Sequence, residues 1–112
     1  MLQYGQLDRL YHALSEPARR SMVARLAQGP ASVSELAGPL PMSLSAVVQH
    51  LAVLEESGLV RSEKTGRVRT CRLEPEALQA AERWLTERRD EWSRRLDRLG
   101  AYLEATKGED DD

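Results

Sequence analysis

In the first segment Tyr4, Leu7, Leu10, Tyr11 and Leu14 are spaced by three, three, one and three. This spacing gathers them on one stripe of a helix. Ser15-Glu16-Pro17 predicts a stop and a restart: a polar cap, then Pro in the first turn of a second helix. That helix turns Met22, Val23 and Leu26 inward and keeps Arg19, Arg20 and Arg25 on its polar sides. Gly29-Pro30 ends it. Ser32-Val33-Ser34-Glu35 has the capping-box pattern and opens a short helix that Gly38-Pro39 stops. Leu40-Pro41-Met42 is a tight connector. Ser43 then caps a longer helix with Val47, Leu51 and Leu54 on one face, and Gly58 sits where a left-handed residue closes a helix.

After Gly58 the period changes. Residues 60–65 and 68–73 carry β-branched residues and alternating charge, with Gly66-Arg67 between them, which predicts a short hairpin. Glu74-Pro75-Glu76 opens a last helix with acid at the positive end of its dipole. Leu78, Leu85, Trp92 and Leu99 recur every seven residues, with Ala81, Leu96 and Leu103 alongside. A sustained seven-residue repeat predicts packing against another helix.

Together these elements describe a mainly α fold with a small β-hairpin, in the order α-α-α-α-β-β-α. That is a winged helix-turn-helix. One domain is expected over residues 1–107, with the helix-turn-helix at 32–57, the wing at 60–73 and the C-terminal helix at 75–106. The acidic tail at 108–112 is expected to be disordered. A chain of 112 residues has room for one core and gains from a partner that covers apolar surface. A last helix of about thirty residues spans roughly 45 Å, more than such a domain is wide. Part of the last helix is therefore expected to meet a partner. The alternative is that the heptads pack on their own domain.

The net charge of −2 conceals a pattern. Residues 61–73 hold five basic residues and one acidic, whereas residues 107–112 hold one basic and four acidic. Local fields steer a polyanion, so the basic block matters more than the total. The longer helix after the turn carries Leu44, Ser45, Val48, Gln49 and Ala52 opposite its apolar face. These side chains are small or neutral and let a polyanion approach. A helix of this kind enters the major groove, where Gln49 can bond adenine through two hydrogen bonds and Ser45 can donate or accept. Ser43 and the first N–H groups of the helix suit a phosphate. The hairpin brings Lys64, Arg67 and Arg69 beside it, together with Arg61 and Arg72. Arg67 at the tip is the leading candidate for a phosphate or minor-groove contact, against the alternative that these arginines only solvate a strand face. His50 is either a DNA contact or a half-buried residue that orients the helix.

Enzymatic readings fail on inventory. There are two His and one Cys, and no Gly-rich phosphate loop. Cys71 alternates with Leu73 and is expected to be a small buried hydrophobe. The sharper alternative is a redox switch, with Arg69 and Arg72 lowering its pKa. No apolar run is long enough to span a membrane, no secretory signal opens the chain, and one cysteine fits a reducing compartment, so a cytoplasmic protein is expected.

The chain resembles the ArsR/SmtB family of bacterial repressors over roughly residues 7–78. The resemblance rests on Leu14-Ser15-Glu16-Pro17-Ala18-Arg19-Arg20, Ser34-Glu35-Leu36-Ala37, the stretch Met42 to Leu51 (MSLSAVVQHL), Leu54 to Val60 (LEESGLV), Gly66-Arg67, and Arg72-Leu73-Glu74-Pro75. It implies a homodimer built from the first and last helices, with Leu7, Leu10, Tyr11, Leu85, Trp92, Leu96, Leu99 and Leu103 at the interface, which represses by binding double-stranded DNA at an imperfect palindrome until an inducer releases it. Many members carry Ser where this chain has Val48. Metal sensors of the family carry a Cys pair in the short helix or His and Asp on the last helix. Residues 32–42 and 74–106 here contain neither His nor Cys. Zinc and softer metals need such ligands, so no metal site and no cofactor are expected, placing the chain with the metal-free branch. A small-molecule inducer, unidentified, remains open. The alternative function is a winged-helix module for protein–protein assembly without specific DNA binding.

Overall fold

The computed structural model describes residues 2–110, and side chains over 5–107. The chain runs α1 (Leu2–Leu14), α2 (Pro17–Leu26), β1 (Ala31–Ser32), α3 (Val33–Ala37), α4 (Leu44–Glu56), β2 (Val60–Thr65), β3 (Val68–Leu73) and α5 (Pro75–Asp110). By packing it divides into one unit ending at Ala81 and a second beginning at Glu82. The fold is mainly helical, as the pattern predicts, with one added element. β1 pairs antiparallel with β3, Ala31 opposite Cys71 and Ser32 opposite Thr70, so the sheet has three strands in the order β1-β3-β2. It covers the edge of β3 that a bare hairpin would leave open.

The local signals take the form their chemistry dictates. Ser32 Oγ accepts the Glu35 N–H at 3.1 Å, and Glu35 Oε1 accepts the Ser32 N–H at 3.3 Å, a complete capping box. At the end of α4, Gly58 adopts φ +87°. The Leu59 N–H reaches the Leu54 carbonyl and the Gly58 N–H reaches the Glu55 carbonyl, both at 3.1 Å. This is a Schellman closure, and its apolar pair, Leu54 and Leu59, is fully buried. In the wing, Thr65 faces Val68 across a two-residue turn, and Gly66 has φ +64° while Arg67 does not have positive φ. A positive φ at the first central position alone is the II′ turn that fits the twist of a hairpin. The junction of α1 and α2 differs from expectation. Glu16 makes no side-chain cap, and Ser15 Oγ instead donates back to the His12 carbonyl, so Ser15 closes α1 rather than opening α2.

The core of the first unit gathers Leu10, Met22, Leu26, Ala31, Leu36, Val47, Leu51, Leu54, Leu59, Val60 and Cys71 from every helix and strand up to β3, and Ala77 and Ala81 from the start of α5. Leu10, expected at a dimer interface, is 0% exposed. It lies on the side of α1 that faces this core, so no partner can reach it. Leu7 and Tyr11 pack against the core but remain half-buried, and the Tyr11 hydroxyl donates to the Ala81 carbonyl at 2.9 Å.

Arg19 departs most from the sequence reading. It is buried at 8% exposure instead of lying on a polar side of α2. Its Nε donates to the Ala13 carbonyl at 2.8 Å and one terminal nitrogen to the His12 carbonyl at 3.1 Å. These carbonyls lie in the last turn of α1, where the helix dipole presents partial negative charge, and the His12 carbonyl also accepts the Ser15 N–H and hydroxyl.

In the second unit, nearly every described side chain of α5 beyond Ala81 is exposed, including Leu85, Trp92, Leu96, Leu99 and Leu103. Arg88 lies over the Trp84 ring at 5.1 Å and pairs with Glu87 and Glu91, so it belongs to a solvated, charge-paired face. α5 continues to Asp110, past the expected end at 106. It therefore takes in three residues assigned to the tail. Residues 111 and 112 lie outside the described residues.

Candidate nucleic-acid interface

α4 is held by Val47, Leu51 and Leu54, all buried, and turns its other side outward. That outer side carries Leu44, Ser45, Val48, Gln49 and Ala52, every one exposed, with Leu44 and Val48 at 58% and 51%. A soluble domain gains nothing by exposing two large apolar side chains one turn apart, unless a surface is to be laid over them. Ser43 Oγ accepts the Ala46 N–H at 3.1 Å and so serves as the N-cap. Its hydroxyl hydrogen is left to donate outward. The helix therefore presents a capped N-terminus and an uncharged face, as groove entry requires.

The wing sorts its five cations. Arg61 pairs with Glu74 at 3.5 Å and Arg72 with Glu63 at 2.8 Å. Arg69 donates to Ser62 Oγ at 2.9 Å, and Ser62 in turn donates to Glu55 of α4. A cleft of about 400 Å³ between the wing and the end of α4 is lined by Glu55 and Glu74 as well as Arg61 and Arg69, so it has both signs of charge. Among the described residues, Lys64 and Arg67 alone of the five have neither an ion pair nor a side-chain hydrogen bond. Both are exposed, Arg67 in the turn that closes the hairpin and Lys64 beside it. Val68, next to Arg67, is also 53% exposed.

His50 is half-buried on the flank of α4. Its Nδ1 lies 3.1 Å from a terminal nitrogen of Arg19. The alternative of a histidine that orients the helix thus has a partner. The sequence did not offer one, because Arg19 was placed outward.

Cys71 is fully buried, opposite Ala31 on one side and Ser62 on the other. Burial pushes its thiol pKa up, Glu55 adds to the rise, and Arg69 opposes it. This is the environment of an inert core cysteine and not of an activated thiolate. Among the described residues no group of three or more His, Cys, Asp or Glu could hold a metal ion. No helix among them is long and apolar enough to cross a membrane.

A helix-turn-helix domain family matches residues 14–63, from the end of α1 into the wing. The chain is 45% identical over 80 residues to the HTH-type transcriptional regulator Rv2034 of Mycobacterium tuberculosis, covering 71% of this chain and 75% of that protein. The crystal structure of RHA00566, described as an ArsR family transcriptional regulator, superposes with a TM-score of 0.76 at 46% identity, covering 80% of this chain and 92% of that one.

The chain belongs to the ArsR family.

It is a transcriptional regulator with a DNA-binding winged helix domain. The ArsR fold is shared at lower identity by Mb0332 of Mycobacterium bovis, described as a homodimeric winged helix-turn-helix DNA-binding domain. That likeness has a TM-score of 0.64 at 26% identity, covering 75% of this chain and 80% of that one.

Proposed function

We propose that this ArsR-family chain is a sequence-specific repressor that binds a palindromic operator as a homodimer and does not respond to metals. The observation that carries the reading is the uncharged outer face of α4 flanked by two uncommitted cations, Lys64 and Arg67. In this reading Gln49 and Ser45 meet base edges, and Leu44 and Val48 offer apolar contact to thymine methyl groups. Ser43 and Arg67 meet phosphates, with Lys64 beside them. Arg69 supports the wing through Ser62. The exposed stripe Leu85, Trp92, Leu96, Leu99 and Leu103 on α5 supports a two-fold assembly, as does the homodimeric relative. Two recognition helices then read half-sites about 34 Å apart, one turn of duplex. The donor set supports metal independence: α3 and the described part of α5 contain no His and no Cys. Operator binding would block polymerase at a promoter, and a cytoplasmic site of action follows from that role. Protein–protein assembly without DNA fits less well, because the family is one of DNA-binding regulators.

Selection from a random duplex library at near-physiological salt, with the enriched site footprinted, tests this reading. An enriched two-fold site with half-sites one turn apart is expected, with binding unchanged by added zinc, nickel or a chelator. A promoter–reporter fusion carrying that site should be silenced by the protein. Enrichment of an asymmetric site, or none, would reject the dimeric operator reading.

A further inference from the structure

Arg19 offers three contacts and no carboxylate receives any of them. Two go to carbonyls of α1, and the third goes to His50 Nδ1 at 3.1 Å. A guanidinium has donors only and does not give up its proton. The ring nitrogen it faces must therefore be a bare acceptor, which leaves the ring hydrogen on Nε2. Two nitrogens of one histidine are usually free to exchange roles, and here a buried neighbour chooses between them.

The other nitrogen is open. His50 is half-buried, and among the described residues no buried side-chain nitrogen or oxygen lacks a partner. Nε2 makes no hydrogen bond in the fold, so it reaches the surface. His50 follows Gln49 in α4 and lies about 100° around the helix from it. A donor on this flank suits the phosphate strand bordering a groove better than a base edge within it.

We propose that Arg19 is a positioning residue for DNA binding: from inside the domain it fixes His50 as the Nε2–H tautomer and presents that N–H to a backbone phosphate beside the recognition helix. The proposal rests on the DNA-binding reading of α4 and adds a specific contact and its support. Arg19 never meets DNA. Its effect passes through one hydrogen bond to the ring.

Three measurements on the full chain test it. Long-range proton–nitrogen NMR of the histidine rings should show His50 as the Nε2–H tautomer, and Arg19→Gln, whose amide can donate or accept, should turn it into a mixture. A ring found as Nδ1–H in the wild type overturns the proposal. Second, His50→Ala should weaken binding to the selected operator and to random duplex alike, by about tenfold, the scale of one hydrogen bond to a charged group. An unchanged affinity for both overturns the contact while leaving the operator reading intact, because the wild type still binds. Third, Arg19→Gln should weaken binding several-fold in the wild-type background and hardly at all in the His50→Ala background, with thermal midpoints followed in parallel. Equal weakening in both backgrounds would make Arg19 a support of α1 only. If Arg19→Gln does not fold, His50→Gln replaces it: the amide can accept from Arg19 or donate to phosphate but is not locked into one orientation. It should recover less than half of the lost affinity, and full recovery would remove the need for a fixed ring. A wild type that binds no duplex is a separate result, which rejects the DNA reading itself.

Discussion

Arg69 of β3 donates to Ser62 of β2 at 2.9 Å, and Ser62 hands its own hydrogen to Glu55 at the end of α4. A cation that looks available in the sequence is thus committed to bracing the wing against the recognition helix. With Arg61 and Arg72 in ion pairs, the free charge narrows to Lys64 and Arg67. Counterion release counts cations that reach phosphate. Arg67→Ala and Lys64→Ala should each reduce the slope of log affinity against log salt by about two units for the dimer, about one for each wing. Arg61→Ala and Arg72→Ala should leave the slope nearly unchanged. Binding measured across a salt series decides this, and equal slopes for all four variants would return the wing to a solvated strand face.

Gln49 stands on the exposed face of α4, where its neighbours within a turn, Ser45, Val48 and Ala52, are uncharged. An amide placed so can satisfy adenine through two hydrogen bonds and loses both on the wrong base. Gln49→Ala should cost about 1–3 kcal/mol on the selected operator and much less on random duplex. Competition binding with both duplexes measures the difference. The same loss on each would take Gln49 off the list of base readers.

How much of this was legible in the chain follows the range of each interaction. The Ser32–Glu35 box and the Gly58 closure depend on partners within one or two turns, so residue spacing revealed them. The wing register followed from a two-residue turn with glycine first. β1 was not legible, because two residues have no period and the partner, Cys71, lies beyond two intervening helices and a strand. Arg19 was misplaced for the same reason. A helical wheel assigns an arginine to the polar side. Only the folded chain shows that the C-terminal carbonyls of α1 and the ring of His50, thirty-one residues away, make a buried polar seat. At the site, the uncharged face of α4 was readable from composition. The sorting of wing cations into paired and free was not, because cross-strand partners depend on which face each residue takes.

Gly58 allows a backbone sign test. Its φ of +87° strains any residue with a Cβ, while a Cβ there meets nothing within 4 Å. The cost of Gly58→Ala is therefore conformational and not steric, about 1–2 kcal/mol. Gly58→Asn should recover part of it, since Asn tolerates the left-handed region. Denaturant unfolding of both variants is the check. Equal loss in the two would point away from φ as the cause.

Cys71 sets an expectation for pH and reagents. Its thiol pKa is raised, foremost by burial and then by Glu55. The folded state therefore holds the thiol proton more tightly than the unfolded state. This contribution is fully present below the ordinary thiol range and is lost as pH rises through the raised value. Stability should fall with rising pH on the alkaline side from this group, and the Cys71→Ala variant should lose that part of the slope. In the native protein near neutral pH, thiol reagents should label Cys71 only as fast as the chain opens. Rapid labelling without unfolding would revive the redox reading.

The exposed stripe on α5 makes the last test the most consequential for assembly. Leu85, Trp92 and Leu99 recur at seven residues, with Leu96 and Leu103 beside them, and all five are exposed in the single chain. Seven-residue spacing keeps one seam of a helix in register with another helix, and water is a poor cover for such a seam. If a second copy covers it, Trp92→Glu places two buried carboxylates in the dimer with nothing to neutralise them. Leu99→Glu does the same one heptad on. Either variant should sediment as a monomer at concentrations where the wild type is a dimer. Each should also lose operator affinity steeply, because one recognition helix then binds without its twin. A far-ultraviolet spectrum close to the wild type's would separate loss of assembly from loss of fold. A variant that stays dimeric with full operator affinity would mean that α5 does not form the interface, and the two-fold reading of the operator would need another surface to support it.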